Sequence, residues 1–229
     1  MYFRNRTEAG RLLARALRKY KGKDVVVYAL PRGGVVVAVE VARELHAPLD
    51  LIIPRKIGHP YHSEYAIAAI AENGYIAGEQ KELKSVDEKW LREEIERQRK
   101  EAKRRREKYL QGKAEIPVEG KIAVLVDDGV ATGLTMRVGI MELKYRHPKK
   151  IVVAVPVVTE KIAALLKEEA GGVVEVVALD IPSDDAFLGS VGAYYDEFYQ
   201  VEDEEVVAIL KGYENEFQIS NFKFQMSKL

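Results

Sequence analysis

The chain has 229 residues, which suits one large domain or one domain with a small appendage. Its 36 basic residues balance 36 acidic ones, so the total charge gives no reason to expect a nucleic acid or an anionic membrane as partner. Cysteine is absent, which excludes disulfides and thiolate chemistry, and the N-terminus carries early charges unlike a secretory signal. We therefore expect a cytoplasmic protein without a membrane-spanning segment.

The first part of the chain alternates helical patterns with apolar runs. Apolar residues at helical spacing predict a helix over residues 7–20, and a β-branched run predicts a buried strand over 24–30. A second helix is expected over 35–46 and a second strand over 49–54. The stretch 55–65 is dense in Gly, Pro, His and Ser, which predicts a loop.

The second part begins with a predicted hairpin over residues 66–79, turning at Asn73-Gly74. One long charged helix is expected over 85–109, entered through a capping box of Ser85 and Glu88. Apolar strands then alternate with helices, which favours an α/β fold with a central parallel sheet covered by helices on both faces. We predict strands over 121–126, 151–158 and 173–179 and helices over 134–145 and 160–170.

The segment KIAVLVDDGVATGLTM, residues 121–136, ends a buried strand on two acids, Asp127 and Asp128. Ligands of parallel α/β sheets bind at such strand ends. Two adjacent carboxylates repel each other, whereas a vicinal diol can donate a hydrogen bond to each of them. The turn Gly129–Thr135 can direct backbone N–H groups, threonine hydroxyls and a helix N-terminus at one phosphate. The segment therefore predicts a site for a diol and a monophosphate, as in a ribose 5-phosphate.

The string VLVDDGVATGLT closely resembles the signature of type I phosphoribosyltransferases, which binds 5-phosphoribosyl 1-diphosphate (PRPP). It is neither a Walker loop, because no Gly-Lys-Ser/Thr follows, nor a dinucleotide fingerprint, because the acids precede the glycines. The resemblance extends from residue 24 to about 200. It implies transfer of the phosphoribosyl group to a ring nitrogen of a nucleobase-like acceptor, with release of diphosphate. It also implies nucleotide salvage, homo-oligomers, and Mg²⁺ held by Asp127 and Asp128 directly or through water.

Two further segments resemble the family's diphosphate-binding elements. LPRGGV, residues 30–35, stands where related enzymes have a loop that often contains a cis peptide, which by position would join Pro31 and Arg32. After the second strand, Arg55 and Lys56 supply cations that suit a diphosphate leaving group, and residues 57–65 correspond to the family's mobile lid. The resemblance assigns catalysis to Asp127, Asp128 and Arg55. The predicted PRPP site comprises Arg32, Gly33, Gly34, Arg55, Lys56, Asp127, Asp128, Gly129, Val130, Ala131, Thr132, Gly133, Leu134 and Thr135.

FLGSVGAYYDEFYQ, residues 187–200, resembles the hood of purine phosphoribosyltransferases, whose aromatic residues can stack on a flat base. Phe187, Val191 and Tyr195 are the predicted acceptor-binding residues, and the alternative for most of the aromatic rings in this segment is that they pack a small subdomain. Ala131 stands where members acting on 6-oxopurines usually have Asp, so the acceptor stays open. We expect residues 1–229 to form a single domain. The hood would come from residues 180–200 and the N-terminal helix, and residues 201–229 would form a C-terminal helix and tail.

Residues 97–108, RQRKEAKRRREK, are rich in bases, which could indicate a nucleic-acid site. A solvated helix with interleaved glutamates fits the neutral total charge better, and a surface that attracts the polyanionic substrate is a third interpretation. An alternative to an enzyme is a PRPP-sensing regulator of the same fold, and an unrelated nucleotide-binding module also stays open. The histidines His59 and His62 are expected to be surface residues, because two histidines without a third ligand rarely form a metal site.

Overall fold

The computed structural model describes residues 1–169 and 172–226. Ala170, the last residue of one predicted helix, lies outside these ranges. Seven helices and eight strands are formed by the described residues. In chain order they are α1 (Arg6–Ala16), β1 (Val25–Ala29), α2 (Gly33–Leu45), β2 (Leu49–Leu51), β3 (Arg55–His59), β4 (His62–Ile70), β5 (Ile76–Gly78), α3 (Gln80–Lys84), α4 (Glu88–Leu110), β6 (Ile122–Val126), α5 (Leu134–Tyr145), β7 (Lys150–Val157), α6 (Glu160–Glu169), β8 (Val174–Asp180) and α7 (Asp203–Met226).

A five-stranded sheet in the order β2-β1-β6-β7-β8 forms the centre of the molecule, and all its strands run parallel. Ala29 at the end of β1 lies opposite Val126 at the end of β6, which in turn lies opposite Ala154. The loops that leave β1 and β6 therefore emerge side by side at one edge. The predicted α/β class with a central parallel sheet is confirmed.

Apolar side chains cover both faces of this sheet. On one face α1 and α2 pack against strand residues such as Val27 and Val124, which are fully buried, and α7 packs on α2 and α4. On the other face α5 and α6 pack against residues such as Leu125 and Val153. Burial of one such side chain contributes roughly 1.5–3 kcal/mol, so the two apolar layers hold the sheet between its helices.

A second sheet of three antiparallel strands, β3-β4-β5, lies beside the first. The predicted hairpin is present, since Gly74 at its turn has a φ of +95° and its N–H donates to Ala71 O at 3.0 Å. The predicted loop over residues 55–65 is wrong, because most of this stretch forms β3 and the start of β4, paired with register shifts around Gly58. Backbone pairing thus overrides the turn-forming composition of this segment.

Several boundaries also differ from the predictions. Helix α4 begins after Asp87, whose side chain accepts the backbone N–H of Trp90 at 2.8 Å, so Ser85 is not its cap. Ser85 instead donates its hydroxyl to Glu82 O and ends α3. Helix α1 stops at Ala16 and a 3₁₀ turn follows, because residues 18–20 tighten into single i→i+3 bonds.

The first residues and helix α7 pack onto the main core. The N–H of Phe3 donates to Tyr194 O at 2.8 Å, so the first residues pair with the predicted hood segment. Helix α7 buries Val206, Leu210 and Tyr213 against the main core, and the Tyr213 hydroxyl donates to Ala47 O at 2.6 Å. Within the described residues no helix is long and apolar enough to cross a membrane.

Candidate active site

The candidate site lies at the carboxyl edge of the parallel sheet, where the loop after β6 meets the first turn of α2. A Cβ atom on Gly33 would lie 2.0 Å from Oδ2 of Asp128, and one on Gly34 would lie 2.9 Å from Oδ1 of Asp127. Real Cβ atoms do not approach so closely. Glycine is therefore required at both positions because α2 begins in direct contact with the acid pair, before any ligand is considered.

The environment of Asp127 opposes its ionisation. Its Oδ1 accepts the backbone N–H of Asp128 at 2.8 Å. Although the side chain is partly open to solvent, the atoms packed around it raise the pKa of Asp127 well above its usual value, and the charge of Asp128 raises it further. Lys56 acts in the opposite direction and lowers this pKa. Perturbed carboxylates in a polar cleft mark functional sites, because such an arrangement is costly without a ligand.

Arg6 is a site residue that the sequence did not reveal. It is 7% exposed, and its Nε donates to Asp128 Oδ2 at 2.7 Å. Its Nη1 donates to Tyr199 O at 2.7 Å, and the guanidinium lies 3.8 Å from the ring centroid of Phe198. Arg6 thus compensates one of the two carboxylates and ties α1 to the hood. An arginine at the start of a helix carries no local pattern that distinguishes it from a surface residue.

The turn that follows the acid pair is fixed at one end and open at the other. Val130 N–H donates to Val157 O at 2.9 Å, which anchors the turn to β7. Ala131 and Thr132 are exposed. Gly133 has a φ of +80° and caps α5 without a side-chain hydrogen bond, so the first N–H groups of α5 have no side-chain cap. A helix N-terminus in this state is suited to bind a phosphate dianion.

The predicted cations lie around this edge, but not all of them face the acids. Arg55 and Lys56 are in β3 rather than in a loop, and successive strand residues point to opposite faces. Arg55 donates its Nε to Gln98 Oε1 at 3.0 Å, so it faces α4. Burial, followed by the charge of Arg105, lowers the pKa of Arg55 below its usual value. Lys56 is exposed and is the member of the pair that influences Asp127.

Arg32 follows the peptide bond whose position suggested a cis isomer, and the Pro31–Arg32 bond is cis. The Arg32 Nη1 lies 3.3 Å from Glu202 Oε2 and 3.4 Å from Asp203 Oδ1, at the start of α7. Arg32 therefore already has anionic partners. A diphosphate bound by Arg32 would compete with these two carboxylates.

The predicted acceptor residues occupy the hood but are mostly enclosed. Tyr195 is 7% exposed, and its hydroxyl donates to Asp128 O at 2.6 Å. The side chain of Val191 packs against Gly129, where an added Cβ would lie 2.5 Å from Cγ1 of Val191. Phe187 packs on Tyr194, with ring centroids 5.6 Å apart. Tyr195 and Val191 thus contact the backbone of the loop that carries Asp128 and Gly129.

Between the hood and the start of α2 lies a cavity of about 330 Å³. Arg6, Arg32 and Gly33 form one side, and residues 198–201 form the other. Tyr199 is 57% exposed, so its ring is more accessible to a ligand than those of the predicted acceptor residues. The ring of Phe198 is in contact with the guanidinium of Arg6 and stacks on Tyr195. This cavity adjoins the acid pair through Arg6 and Gly33.

The residues present are compatible with a magnesium ion that is held together with a substrate. No group of three or more His, Cys, Asp or Glu residues in the described ranges could hold a metal ion by itself. Mg²⁺, however, usually binds one or two carboxylates and completes its shell with water and substrate phosphates. Asp127 and Asp128 provide that number of carboxylates.

The rings of His59 and His62 stack on each other, with centroids 5.8 Å apart.

Comparison with protein families gives one match that covers most of the chain. Residues 3–196 match the model of the phosphoribosyl transferase domain. This range includes the acid pair, the turn after it, the start of α2 and most of the hood, and it ends before α7.

Individual relatives agree with this match. Two proteins of Mycobacterium tuberculosis, named "Putative phosphoribosyl transferase MT0597" (strain CDC 1551) and "Putative phosphoribosyl transferase Rv0571c" (strain H37Rv), are each 40% identical to this chain over 215 residues, or 91% of it. The matched region is 46% of either relative, so the chain spans about half their length. The crystal structure of TT1426 from Thermus thermophilus is 42% identical and superposes with a TM-score of 0.75, over 93% of this chain and 99% of that one.

Proposed function

Because the chain belongs to the phosphoribosyl transferase family, we propose that it transfers the 5-phosphoribosyl group from PRPP to a ring nitrogen of a nucleobase-like acceptor and releases diphosphate. The observation that carries this proposal is the adjacent pair Asp127 and Asp128 beside a helix N-terminus without a side-chain cap. A diol and a monophosphate are the two groups that this arrangement can bind together.

In this mechanism the protein acts mainly by binding and charge placement. The first N–H groups of α5 and the hydroxyls of Thr132 and Thr135 bind the 5-phosphate. Asp127 and Asp128 accept hydrogen bonds from the ribose hydroxyls, and their negative charge stabilises the positive charge that develops at the anomeric carbon. The bond from this carbon to the diphosphate oxygen breaks while a bond to the acceptor nitrogen forms.

The departing diphosphate requires positive charge. Lys56 on β3 and Arg32 before α2 would supply it directly, and Arg55, which faces α4 but is influenced by the charge of Arg32, would add to the positive charge at this edge. Arg32 would exchange its contacts with Glu202 and Asp203 for the diphosphate. Mg²⁺ bound by the acid pair and the substrate would neutralise further charge on the leaving group.

We place the acceptor in the cavity between residues 198–201 and the start of α2. Tyr199 presents an accessible aromatic face there, which suits a flat heterocycle. The resemblance of the hood to purine enzymes favours a purine over a pyrimidine. Ala131 offers no carboxylate to accept a proton from the base, so hypoxanthine and guanine are expected to be poor acceptors.

The test is an assay of diphosphate release from PRPP with Mg²⁺ and a panel of purine, pyrimidine and pyridine bases. We expect release with at least one flat heterocycle. The variant Asp127→Asn/Asp128→Asn should lose at least about a hundredfold in turnover, as expected when groups that act on the transition state are removed. The exposed pair Asp184 and Asp185 offers a matched control, because Asp184→Asn/Asp185→Asn removes the same charge elsewhere.

Calorimetry separates binding from turnover. PRPP should bind the unchanged protein and the control variant, and bind the acid-pair variant at least about tenfold more weakly. PRPP binding without diphosphate release for any base would refute the transferase proposal and support a PRPP sensor. Equal PRPP affinity in a folded acid-pair variant would refute the role of the two acids.

A further inference from the structure

Arg55 is a half-buried cation at the carboxyl edge of the parallel sheet, where residues 52–54 join the end of β2 to the start of β3. Burial lowers its pKa, and the charges of Arg105 and Arg32 lower it further. No carboxylate in the described part of the chain forms an ion pair with Arg55. Because a poorly solvated charge without a counterion is costly, an uncompensated cation at this edge indicates a functional requirement.

Two neighbouring arginines differ from Arg55 in this respect. Arg32 Nη1 lies 3.3 Å from Glu202 Oε2, and Arg105 Nε lies 2.8 Å from Glu101 Oε1. The charges of both are therefore compensated before any ligand binds. Of these three described arginines, Arg55 is the one whose full charge remains available to an anionic ligand.

The partner of Arg55 is the neutral side chain of Gln98 on α4. Arg55 Nε donates to Gln98 Oε1 at 3.0 Å, and Gln98 Nε2 donates to Glu94 Oε1 at 2.7 Å. This chain of hydrogen bonds fixes the orientation of the amide, because an arginine N–H can only donate and an ionised carboxylate can only accept. Glu94 and Gln98 are four positions apart, so they lie on the same face of α4.

Glu94 is the anchor of this chain and has its own counterion. It is 7% exposed, and Arg97 donates to it through Nε at 2.7 Å and through Nη2 at 2.8 Å. Burial acts to raise the pKa of Glu94, but the hydrogen bonds from Arg97 and Gln98 outweigh it and hold this pKa below its usual value. Glu94 is therefore ionised, and Gln98 connects Arg55 to it without placing a carboxylate against Arg55.

A neutral partner on Nε leaves the rest of the guanidinium available. Nη1 and Nη2 of Arg55 make no hydrogen bond to the described residues, and they are not among the enclosed polar atoms that lack a partner, so they retain access to solvent. Two parallel Nη groups suit the oxygens of a phosphate or diphosphate. An arginine that is already oriented loses less side-chain entropy when it binds such an anion.

We propose that Gln98 is a positioning residue of the diphosphate subsite: it orients Arg55 through Nε and, because it is neutral, leaves the charge of Arg55 to the diphosphate. This inference rests on the proposed role of Arg55 in the transferase function. It also gives the basic stretch of residues 97–108 a task within the enzyme, since Gln98 belongs to that stretch.

The sharpest test is the exchange variant Glu94→Gln/Gln98→Glu, which keeps the composition and the total charge. The amide at position 94 still accepts a hydrogen bond from Arg97 and donates to the carboxylate at position 98, which in turn accepts Arg55 Nε. The hydrogen-bond chain is thus retained, while the negative charge moves one helical turn and lies directly against Arg55.

Calorimetry of the full chain with diphosphate and Mg²⁺, and separately with ribose 5-phosphate, measures the effect. In the exchange variant, diphosphate affinity should fall at least about tenfold, because its cation is neutralised. Ribose 5-phosphate affinity should stay within about twofold, because that ligand lacks the diphosphate. The matched control, Gln80→Glu/Glu88→Gln, makes the same exchange at exposed positions and should leave both affinities unchanged.

A second variant covers the case in which the exchange variant does not fold. Gln98→Met keeps the volume of the side chain and the charge of Arg55 but removes the acceptor of Nε. Diphosphate affinity should fall about threefold, less than in Arg55→Ala, because only the orientation of the cation is lost. In an Arg55→Ala background, Gln98→Met should have no further effect on diphosphate binding.

The outcomes separate this inference from the proposed function. If Arg55→Ala weakens diphosphate binding but neither change at Gln98 does, the positioning role is wrong and the role of Arg55 stands. If Arg55→Ala also leaves diphosphate affinity unchanged, Arg55 is not part of the subsite and both fail. If diphosphate binding depends on Gln98 as expected but no base releases diphosphate from PRPP, the transferase proposal fails and the positioning role stands.

Discussion

At the residue scale, the acid pair combines two features that disfavour folding. Asp127 lies among packed atoms next to a second carboxylate, and both effects raise its pKa. Arg6 compensates Asp128 directly, with its Nε 2.7 Å from Oδ2. Active-site residues often lower the stability of the folded protein because they are placed to bind substrate, and the proposed role of Asp127 fits this pattern.

Asp127→Asn should therefore increase stability while it weakens PRPP binding. The folded-state pKa of Asp127 is raised, so the folded protein binds more protons than the unfolded chain between the usual aspartate pKa and the raised one. The ionised side chain costs folding free energy above this window, and Asn removes that cost. We expect a gain of about 1 kcal/mol near pH 8. Urea unfolding should show this gain decrease as the pH falls through the window, and a gain that is independent of pH would contradict the explanation.

Removal of Arg6 should have the opposite effect. Arg6 and Asp128 have side-chain exposures of 8% and 15%, so the loss of one partner leaves a poorly solvated charge. Arg6→Gln should cost about 3 kcal/mol of unfolding free energy at neutral pH, as measured in urea. Arg4→Gln is the matched control, because Arg4 is 74% exposed and lies 3.7 Å from Glu197. Its loss should cost less than about 1 kcal/mol, and equal losses would mean that burial of the pair does not matter.

The acid pair and Arg6 show how much of the site could be predicted from the sequence. The acid pair and the turn after it form one continuous segment with a specific spacing, so both could be recognised from the sequence alone. Arg6 reaches Asp128 across 122 positions. Its role depends on how α1 packs on α2 and how the first residues pair with the hood, and neither contact leaves a periodic signal. The same limit applies to Phe198, whose exposure depends on the fold of the hood.

At the scale of single elements, hydrophobic patterning predicted the parallel strands and most helices. The β3–β4 ribbon was missed because its strands contain residues that favour turns, such as Gly58, and are joined through Pro60 in the short turn between them. The entry of α4 was misplaced because two candidate caps lie two residues apart, and only the geometry shows that Asp87 rather than Ser85 accepts the N–H of the first turn.

The cap of α4 gives a direct test at this scale. Asp87→Ala removes the acceptor for Trp90 N–H and should cost about 1 kcal/mol of unfolding free energy. Ser85→Ala removes a hydroxyl that bonds only to Glu82 O at the end of the short helix α3, and it should cost less than about 0.5 kcal/mol. The two variants are compared by urea unfolding. A larger loss of unfolding free energy for Ser85→Ala would support the predicted capping box of Ser85 and Glu88.

Strand β3 carries a prediction about catalysis. Arg55 faces α4 through Gln98 and is expected to act only on the diphosphate. Arg55→Ala should lower turnover by at least about tenfold and weaken PRPP binding, but leave ribose 5-phosphate affinity within about twofold, because that ligand lacks the diphosphate. Steady-state kinetics and calorimetry with both ligands measure this difference. Equal losses of affinity for the two ligands would indicate a general defect of the site instead.

At the scale of the whole molecule, the neutral total charge reflects local compensation. The family match ends at residue 196, and α7 follows it, yet α7 is part of the main core. Its acidic start also binds the basic helix, since Lys108 Nζ lies 2.9 Å from Asp203 Oδ2 and the Tyr109 hydroxyl donates to Asp203 at 2.6 Å. The sequence showed the charges of both segments, but not that they face each other.

The last prediction is that the basic stretch of residues 97–108 does not bind nucleic acid. Arg104 and Arg105 both pair with Glu101, at 2.7 and 2.8 Å, and the hydrogen bond from Arg104 lowers the pKa of Glu101 to about 2 against the effect of burial. Arg97 pairs with Glu94. Nucleic-acid affinity requires cations that are free to replace counterions at phosphates, and these arginines already have carboxylate partners.

Fluorescence anisotropy with duplex DNA and with RNA, at low and at physiological salt, tests this prediction. We expect weak binding that does not differ between the unchanged chain and Arg104→Glu/Arg105→Glu. The same reversal at exposed arginines of α1, Arg11→Glu/Arg15→Glu, serves as the control for a change in total charge. Tight binding that weakens steeply with salt, and that only the α4 variant abolishes, would show that the carboxylate partners of α4 are displaced by phosphate and would support a regulator that acts on nucleic acid.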